Sequence, residues 1–242
     1  MISSFRTLFA PPRHLILLIL AAWIGLALAE KRTKQHGIMG TDLINLAFYG
    51  SLGFVLGGRL LSILQNISVY ARSPIGMVSI NPDLFDAFGG ISTSLIVAFI
   101  YAHRNNLPLW STLDAFIPFF AMIGIGLGLK DLAAGTAFGT PTRVVWAIEL
   151  WNAERHPTQI YVMVASILTF SLFWYKNPNS ISGIDFLTFA CLISGLNLFI
   201  LAFRADANVI FNGMKLGQII AWIVLAAGFL LIEIRLAAEN HG

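Results

Sequence analysis

Seven stretches of this chain, near residues 15–29, 44–66, 85–102, 112–134, 159–175, 183–203 and 216–235, are apolar enough and long enough to cross a lipid bilayer. In hydrocarbon every backbone amide and carbonyl needs a partner inside the protein, so only helices and closed barrels span. The runs are continuously apolar rather than alternating, which selects helices. Turn and breaker residues fill the connections: His36-Gly37, Asn81-Pro82, Asn105 to Pro108, Thr140-Pro141-Thr142, Lys176 to Asn179, and Ala205 to Asn208. The expected fold is an all-α integral membrane protein of about seven transmembrane helices, residues 1–242 forming one domain.

Charge narrows the function classes. Only 11% of the 242 residues are charged, so little of the chain is left for a soluble domain. The net charge is +3, but the Lys and Arg are scattered rather than gathered in a stripe, which argues against nucleic acid and for anionic lipid. The basic run Lys31-Arg32-Thr33-Lys34 directly follows the first apolar stretch and opposes translocation, so residues 15–29 are expected to stay as a helix although Ala27-Leu28-Ala29 imitates a cleavage site. The same run places the amino terminus outside and the carboxyl terminus inside. Residues 136–158 then lie outside, where Trp146 and Trp151 suit an amphipathic segment at the interface. Cys191 is the single cysteine and reads as a small packing residue.

Ionisable groups inside spans are costly and so mark candidate sites: Arg59, Asp86, Asp114, Lys130, Asp131 and Glu233. Asp86 reads as a helix-start residue, and Glu233 as a group that snorkels. Lys130 and Asp131 read either as site residues or as charges paired at the membrane edge. Arg59 is the sharper case, because it follows Gly57-Gly58, where small residues admit a backbone or a lipid headgroup. It suits a phosphate oxygen or, equally, carbonyls of neighbouring helices. Arg155-His156-Pro157-Thr158-Gln159 opens a span; His156 suits a base, an anion-binding cation or a helix-start donor. No spacing suits a metal, and no motif a cofactor, so neither is expected. Gly124, Gly126 and Gly128 fall in a hydrophobic span without a following Lys-Ser/Thr and read as packing positions rather than a phosphate loop.

These residues, in this order, resemble the prolipoprotein diacylglyceryl transferase family. The similarity begins at Pro12-Arg13 and includes Gly57-Gly58-Arg59, Phe88-Gly89-Gly90, Asp114 with Pro118, and Gly135 through Thr142. It continues through Arg155 to Tyr161, Ser182-Gly183, Phe203-Arg204 and Leu216-Gly217-Gln218. The string Arg-His-Pro-Thr-Gln with its following tyrosine is the most specific part. The resemblance implies a lipid-accessible central cavity between spans two to six, in a bacterial cytoplasmic (inner) membrane. It also implies transfer of a diacylglyceryl group from phosphatidylglycerol to a lipoprotein cysteine.

It further assigns His156 and Lys130 to catalysis, and Arg59, Gly57, Gly58, Arg204 and Gln159 to the phospholipid. The implied partners are phosphatidylglycerol or another anionic phospholipid, with a lipoprotein precursor or a membrane-complex subunit. Four positions depart from the family pattern. Phe88 stands where the family has histidine, Leu15 for a tyrosine, Asn197 for an arginine, and Lys130 is the nearest match to a second arginine. Those departures define the competing expectation, a non-catalytic paralogue that binds lipid or scaffolds a complex.

Overall fold

The computed structural model describes residues 2–79, 84–210 and 213–240. The turn expected at Asn81-Pro82 lies outside the described residues. Ten α-helices occur among them: α1 (Ile2–Leu8), α2 (Leu15–Arg32), α3 (Gly40–Gln65), α4 (Ile67–Arg72), α5 (Ala87–Arg104), α6 (Leu109–Ala115), α7 (Ile117–Ala134), α8 (Thr158–Tyr175), α9 (Ile184–Phe203) and α10 (Leu216–Asn240). Two short antiparallel hairpins interrupt them, β1 (Ile148–Leu150) with β2 (Ala153–Arg155) and β3 (Val209–Ile210) with β4 (Met214–Lys215). Each expected span has its long helix. Five of these, α3, α7, α8, α9 and α10, are long and apolar enough to cross a membrane. Three charges, Glu30, Lys31 and Arg32, close α2, and α5 ends on His103 and Arg104. The protein is a multi-pass membrane protein, with five crossings supported by length and composition.

The chain divides into two compact units, residues 37–112 and residues 1–36 with 113–242. In the first, α3 and α5 pack through small residues. Gly53 of α3 lies so close that a Cβ there would come within 3.2 Å of the Thr93 carbonyl of α5, and one on Gly58 within 2.9 Å of the Asp86 carbonyl. Such contact lets two helices approach where no hydrophobic force separates lipid from protein. Asp86 caps α5, its carboxylate accepting from the Gly89 amide at 2.7 Å.

In the second unit the glycines of α7 alternate between neighbours. Gly126 faces Leu18 and Ala21 of α2, whereas Gly124 faces Ser166 and Gly128 faces Met163 and the Gln159 carbonyl of α8. A 100° step per residue turns every second glycine to the opposite side, so one short sequence serves two interfaces. The span expected at 112–134 is broken. Pro118, in the first turn of α7, has no amide to continue a helix and crowds the carbonyl of residue 114, so α6 stops at Ala115. The break leaves Asp114 beside the start of α9, where its two oxygens accept from the Gly183 and Phe186 amides at 2.6 and 2.8 Å. Asp114 thereby caps a helix. At the same end Arg32, 6% exposed, donates to the Phe173 carbonyl at 2.5 Å, and Asp185 accepts from Lys176 and the Asn179 amide.

The glycine contacts between α3 and α5 give a direct test. A Cβ on Gly57 would overlap the Thr93 side chain and sit 2.6 Å from the Gly89 carbonyl, whereas one on Gly50 would meet Ser94 Oγ at 3.4 Å and the Ala98 Cβ at 4.0 Å, both ordinary contacts. Gly57→Ala is expected to lower stability by about 1–3 kcal/mol. Gly50→Ala should be neutral or favourable, since Ala gains about 1 kcal/mol over Gly in a helix. Thermal unfolding in detergent checks this, and equal melting of the two variants would contradict the packing described.

Candidate functional site

The candidate residues of the larger unit gather around one piece of irregular backbone, residues 135–142, which leaves α7. Gly135 ends the helix in the left-handed region at φ 71°, a conformation glycine adopts freely. Thr136 then donates its hydroxyl to Asp131 Oδ1 at 3.0 Å, and its carbonyl accepts from Gln159 Nε2 at 2.7 Å. Ala137 also takes a positive φ, 53°, an uncommon state for a residue with a side chain. It is held from both directions: its amide donates to Asp206 Oδ2 at 2.6 Å, and its carbonyl accepts from the Thr158 hydroxyl.

Residues 138–142 run extended between two further segments. The exit of α9 lies on one side, where Ala205 donates to the Phe138 carbonyl at 2.9 Å and Thr140 donates to that of Phe203 at 2.7 Å. The end of β2 lies on the other, with His156 donating to Thr140 at 3.1 Å and Thr142 donating to Glu154 at 2.9 Å. Gly139 allows the approach, since a Cβ there would meet the His156 Cβ at 2.6 Å. The amphipathic interfacial segment expected at 136–158 is thus partly β. Its hairpin turn puts Trp151 and Asn152 at φ 55° and 58°, the pattern of the tight turn that matches strand twist. Neither residue prefers that state. Trp151 is fixed by tertiary contacts, its indole N–H on the Gly135 carbonyl at 2.9 Å and its ring under the Arg6 guanidinium at 5.6 Å.

Each predicted site residue now has a place. The Lys130 ammonium lies 2.7 Å from Asp131, its charge matched by its own neighbour. Gln159 is 1% exposed and ties α8 to Thr136, while its Oε1 is buried without a partner among the described residues. Arg204 places Nε 2.7 Å from Asp206 Oδ1, and its two terminal nitrogens make no hydrogen bond among the described residues. The His156 ring lies 4.7 Å from that of Phe203, with Nδ1 3.1 Å from the Tyr161 hydroxyl, which also accepts from Trp146 Nε1 at 2.8 Å. Nε2 of His156 has no such bond among the described residues. Arg155 braces the hairpin, donating to the Leu150 and Gly139 carbonyls at 3.0 and 3.3 Å.

In the other unit Arg59 turns inward. Its guanidinium donates to the carbonyls of Gly76, Met77 and Leu84 and lies over the rings of Tyr70 and Phe85 at 5.3 and 5.8 Å. It closes the segment after α4 against α3, beside a cavity of about 420 Å³ lined by Ser62, Asn66, Tyr70 and Ser73. Gly57 and Gly58 set the approach of α5. Phe88 is 75% exposed.

Sequence reasoning passed over Asp206, Tyr161 and Trp146 as working residues. Tyr161 lies within the string singled out above, but Asp206 had no signal apart from its place in a polar turn.

Five apolar helices long enough to cross a membrane, with a polar, hydrogen-bonded assembly where α7, α8 and α9 meet irregular backbone, define a multi-pass membrane protein. The family model for prolipoprotein diacylglyceryl transferase matches residues 14–234, and the chain belongs to that family. Among similar proteins, the phosphatidylglycerol–prolipoprotein diacylglyceryl transferase of Finegoldia magna is 25% identical over 219 residues, covering 89% of this chain and 88% of its own length. The protein of the same name from Clostridium tetani is 29% identical over 229 residues (89% and 88%), and that from Aeromonas hydrophila 29% over 223 (88% and 80%).

The bond from Asp206 to Ala137 tests the hub. Asp206→Ala is expected to cost about 1–3 kcal/mol, the price of a buried amide left without an acceptor. Hydrogen exchange should show faster amides across 136–142 with α3 and α5 unchanged. Unaltered protection at 136–142 would show that Asp206 does not hold the segment.

Proposed function

We propose that this protein transfers the diacylglyceryl group of phosphatidylglycerol to the cysteine thiol of a lipoprotein precursor, at the outer face of a bacterial cytoplasmic membrane. Family membership supports the reaction class, and the nitrogens of His156 and Arg204 that make no hydrogen bond among the described residues, on the two segments flanking 138–142, support the site. In this reaction the thiol sulfur bonds to the glyceryl carbon, and the carbon–oxygen bond to phosphate breaks. Glycerol phosphate departs with that electron pair, and the thiol proton passes to the departing phosphate. Negative charge grows on that phosphate in the transition state. Its stabilisation by preorganised donors is the largest contribution a protein can make to such a step.

Arg204 offers its two terminal nitrogens in fork geometry for phosphate oxygens, with Asp206 fixing the orientation through Nε. His156 adds a further polar contact from the far side of Gly139. Lys130 contributes through the field of its pair with Asp131, and Gln159 holds the hub in place. Arg59, in the smaller unit, spends three donors on carbonyls and braces the segment after α4 there. With the amino terminus outside, the loop 135–157 and the turn 204–215 both lie on the outer side, where the acceptor cysteine is presented.

The test is transfer in vesicles of phosphatidylglycerol by the purified full-length protein, with a peptide bearing the lipoprotein cysteine motif as acceptor and mass spectrometry as readout. A thioether-linked diacylglyceryl adduct and free glycerol phosphate are expected. Arg204→Ala should reduce the rate by about 10²-fold or more, and His156→Ala by a similar factor. Lipid binding without any adduct would contradict transfer and leave a lipid-binding subunit.

A further inference from the structure

We propose that Tyr161 is a positioning residue that holds His156 as the tautomer protonated on Nε2, so that the imidazole meets its ligand as a hydrogen-bond donor rather than as a base. Three side chains from different elements carry the inference: Trp146 from the loop before β1, His156 after β2, and Tyr161 from the first turn of α8. An indole N–H can only donate, so Trp146 Nε1, 2.8 Å away, occupies a lone pair of the Tyr161 oxygen. The hydroxyl has one proton of its own, and its other partner is His156 Nδ1 at 3.1 Å.

Two assignments compete. With the proton on His156 Nδ1, the Tyr161 oxygen would accept twice and its own proton would find no acceptor among the described residues. When Nδ1 is the acceptor, all three groups are satisfied at once. A polar group left unpaired in a part-buried site is the more costly outcome. The single proton of a neutral imidazole then sits on Nε2.

Rotation of the ring would undo this, and the surroundings oppose it. Phe203 lies 4.7 Å from the imidazole centroid and the Tyr161 ring 6.2 Å from it. The His156 backbone is pinned through its amide on Thr140, against a Gly139 that has no side chain to yield. The group presented outward is therefore an N–H. It suits an anionic oxygen, such as a phosphate ester, and cannot take a proton from a thiol through that nitrogen. The choice of phosphate as the ligand rests on the function proposed above, whereas the tautomer does not.

The experiment is nitrogen NMR of the full-length protein, labelled with ¹⁵N-histidine, in phosphatidylglycerol nanodiscs at about pH 8, above the ordinary histidine range. His156→Gln identifies the resonances of this residue by their disappearance. The expected result is an imidazole wholly protonated on Nε2. In Tyr161→Phe and in Trp146→Phe a measurable Nδ1-protonated fraction should appear, corresponding to about a fivefold or greater shift in the tautomer ratio. A wild-type ring protonated on Nδ1, or a tautomer ratio unmoved in both variants, would overturn the proposal. In the transfer assay, His156→Gln, which keeps an N–H donor, should retain at least tenfold more activity than His156→Ala. Parity of the two would likewise count against a donor role. An Nε2–H ring in a protein without transfer activity would uphold the positioning role and remove the transferase reading alone.

Discussion

A chain that leaves its helices at the edge of a membrane exposes backbone amides and carbonyls that hydrocarbon will not solvate, and the site depends on how this one meets that demand. Residues 136–142 are one such departure in the larger unit. Their polar groups are met by the entry of α8 through Thr158 and Gln159, by the exit of α9 through Phe203 and Ala205, and by the end of β2 through Glu154 and His156. The same bonds fix His156 and Arg204 on either side of Gly139. Satisfying the backbone and positioning these two side chains are therefore one act of folding, with Asp206 joining the two because its carboxylate serves both Ala137 and Arg204.

Cationic residues in this protein divide by how their donors are spent. Arg59 gives three bonds to carbonyls, Arg155 two, and Lys130 faces an aspartate. Those groups stiffen the structure around them. Among the described residues the terminal nitrogens of Arg204 and Nε2 of His156 make no hydrogen bond, and in the proposed reaction these are the groups that meet the phosphate, where preorganised donors require no reorganisation. Phe88, which the family resemblance sets against a histidine, is an exposed ring. The proposed chemistry rests on the start of α8 and the end of α9, where His156 and Arg204 lie.

The helices were legible because their signal is long and redundant: each of the seven apolar runs contains a helix of at least 18 residues, α7 and α9 among them. The glycines of α7 and the cap at Asp86 were legible for a similar reason, as local rules decide them. The break at Phe116 was present in the sequence as Pro118 but was outweighed by the apolar run across it. What could not be read were states imposed by distant partners. Ala137 and Trp151 take positive φ values that neither residue favours, and only Asp206, Thr158, Gly135 and Arg6 account for them. The bond from Tyr161 to His156 links near neighbours in sequence, but Trp146 completes it from another element. Residue identity alone gives no sign of that.

The central claim is that a chain lacking the family's histidine at position 88 still carries out transfer through its remaining donors. The most direct measurement is rescue: expression of the full-length gene in bacterial cells depleted of their own prolipoprotein diacylglyceryl transferase, with growth and the electrophoretic maturation of a major lipoprotein as readouts. The account predicts restored maturation by the wild-type chain and its loss with Arg204→Ala at equal membrane abundance. Accumulation of unmodified precursor with the wild-type chain correctly inserted, or rescue indifferent to Arg204, would contradict it.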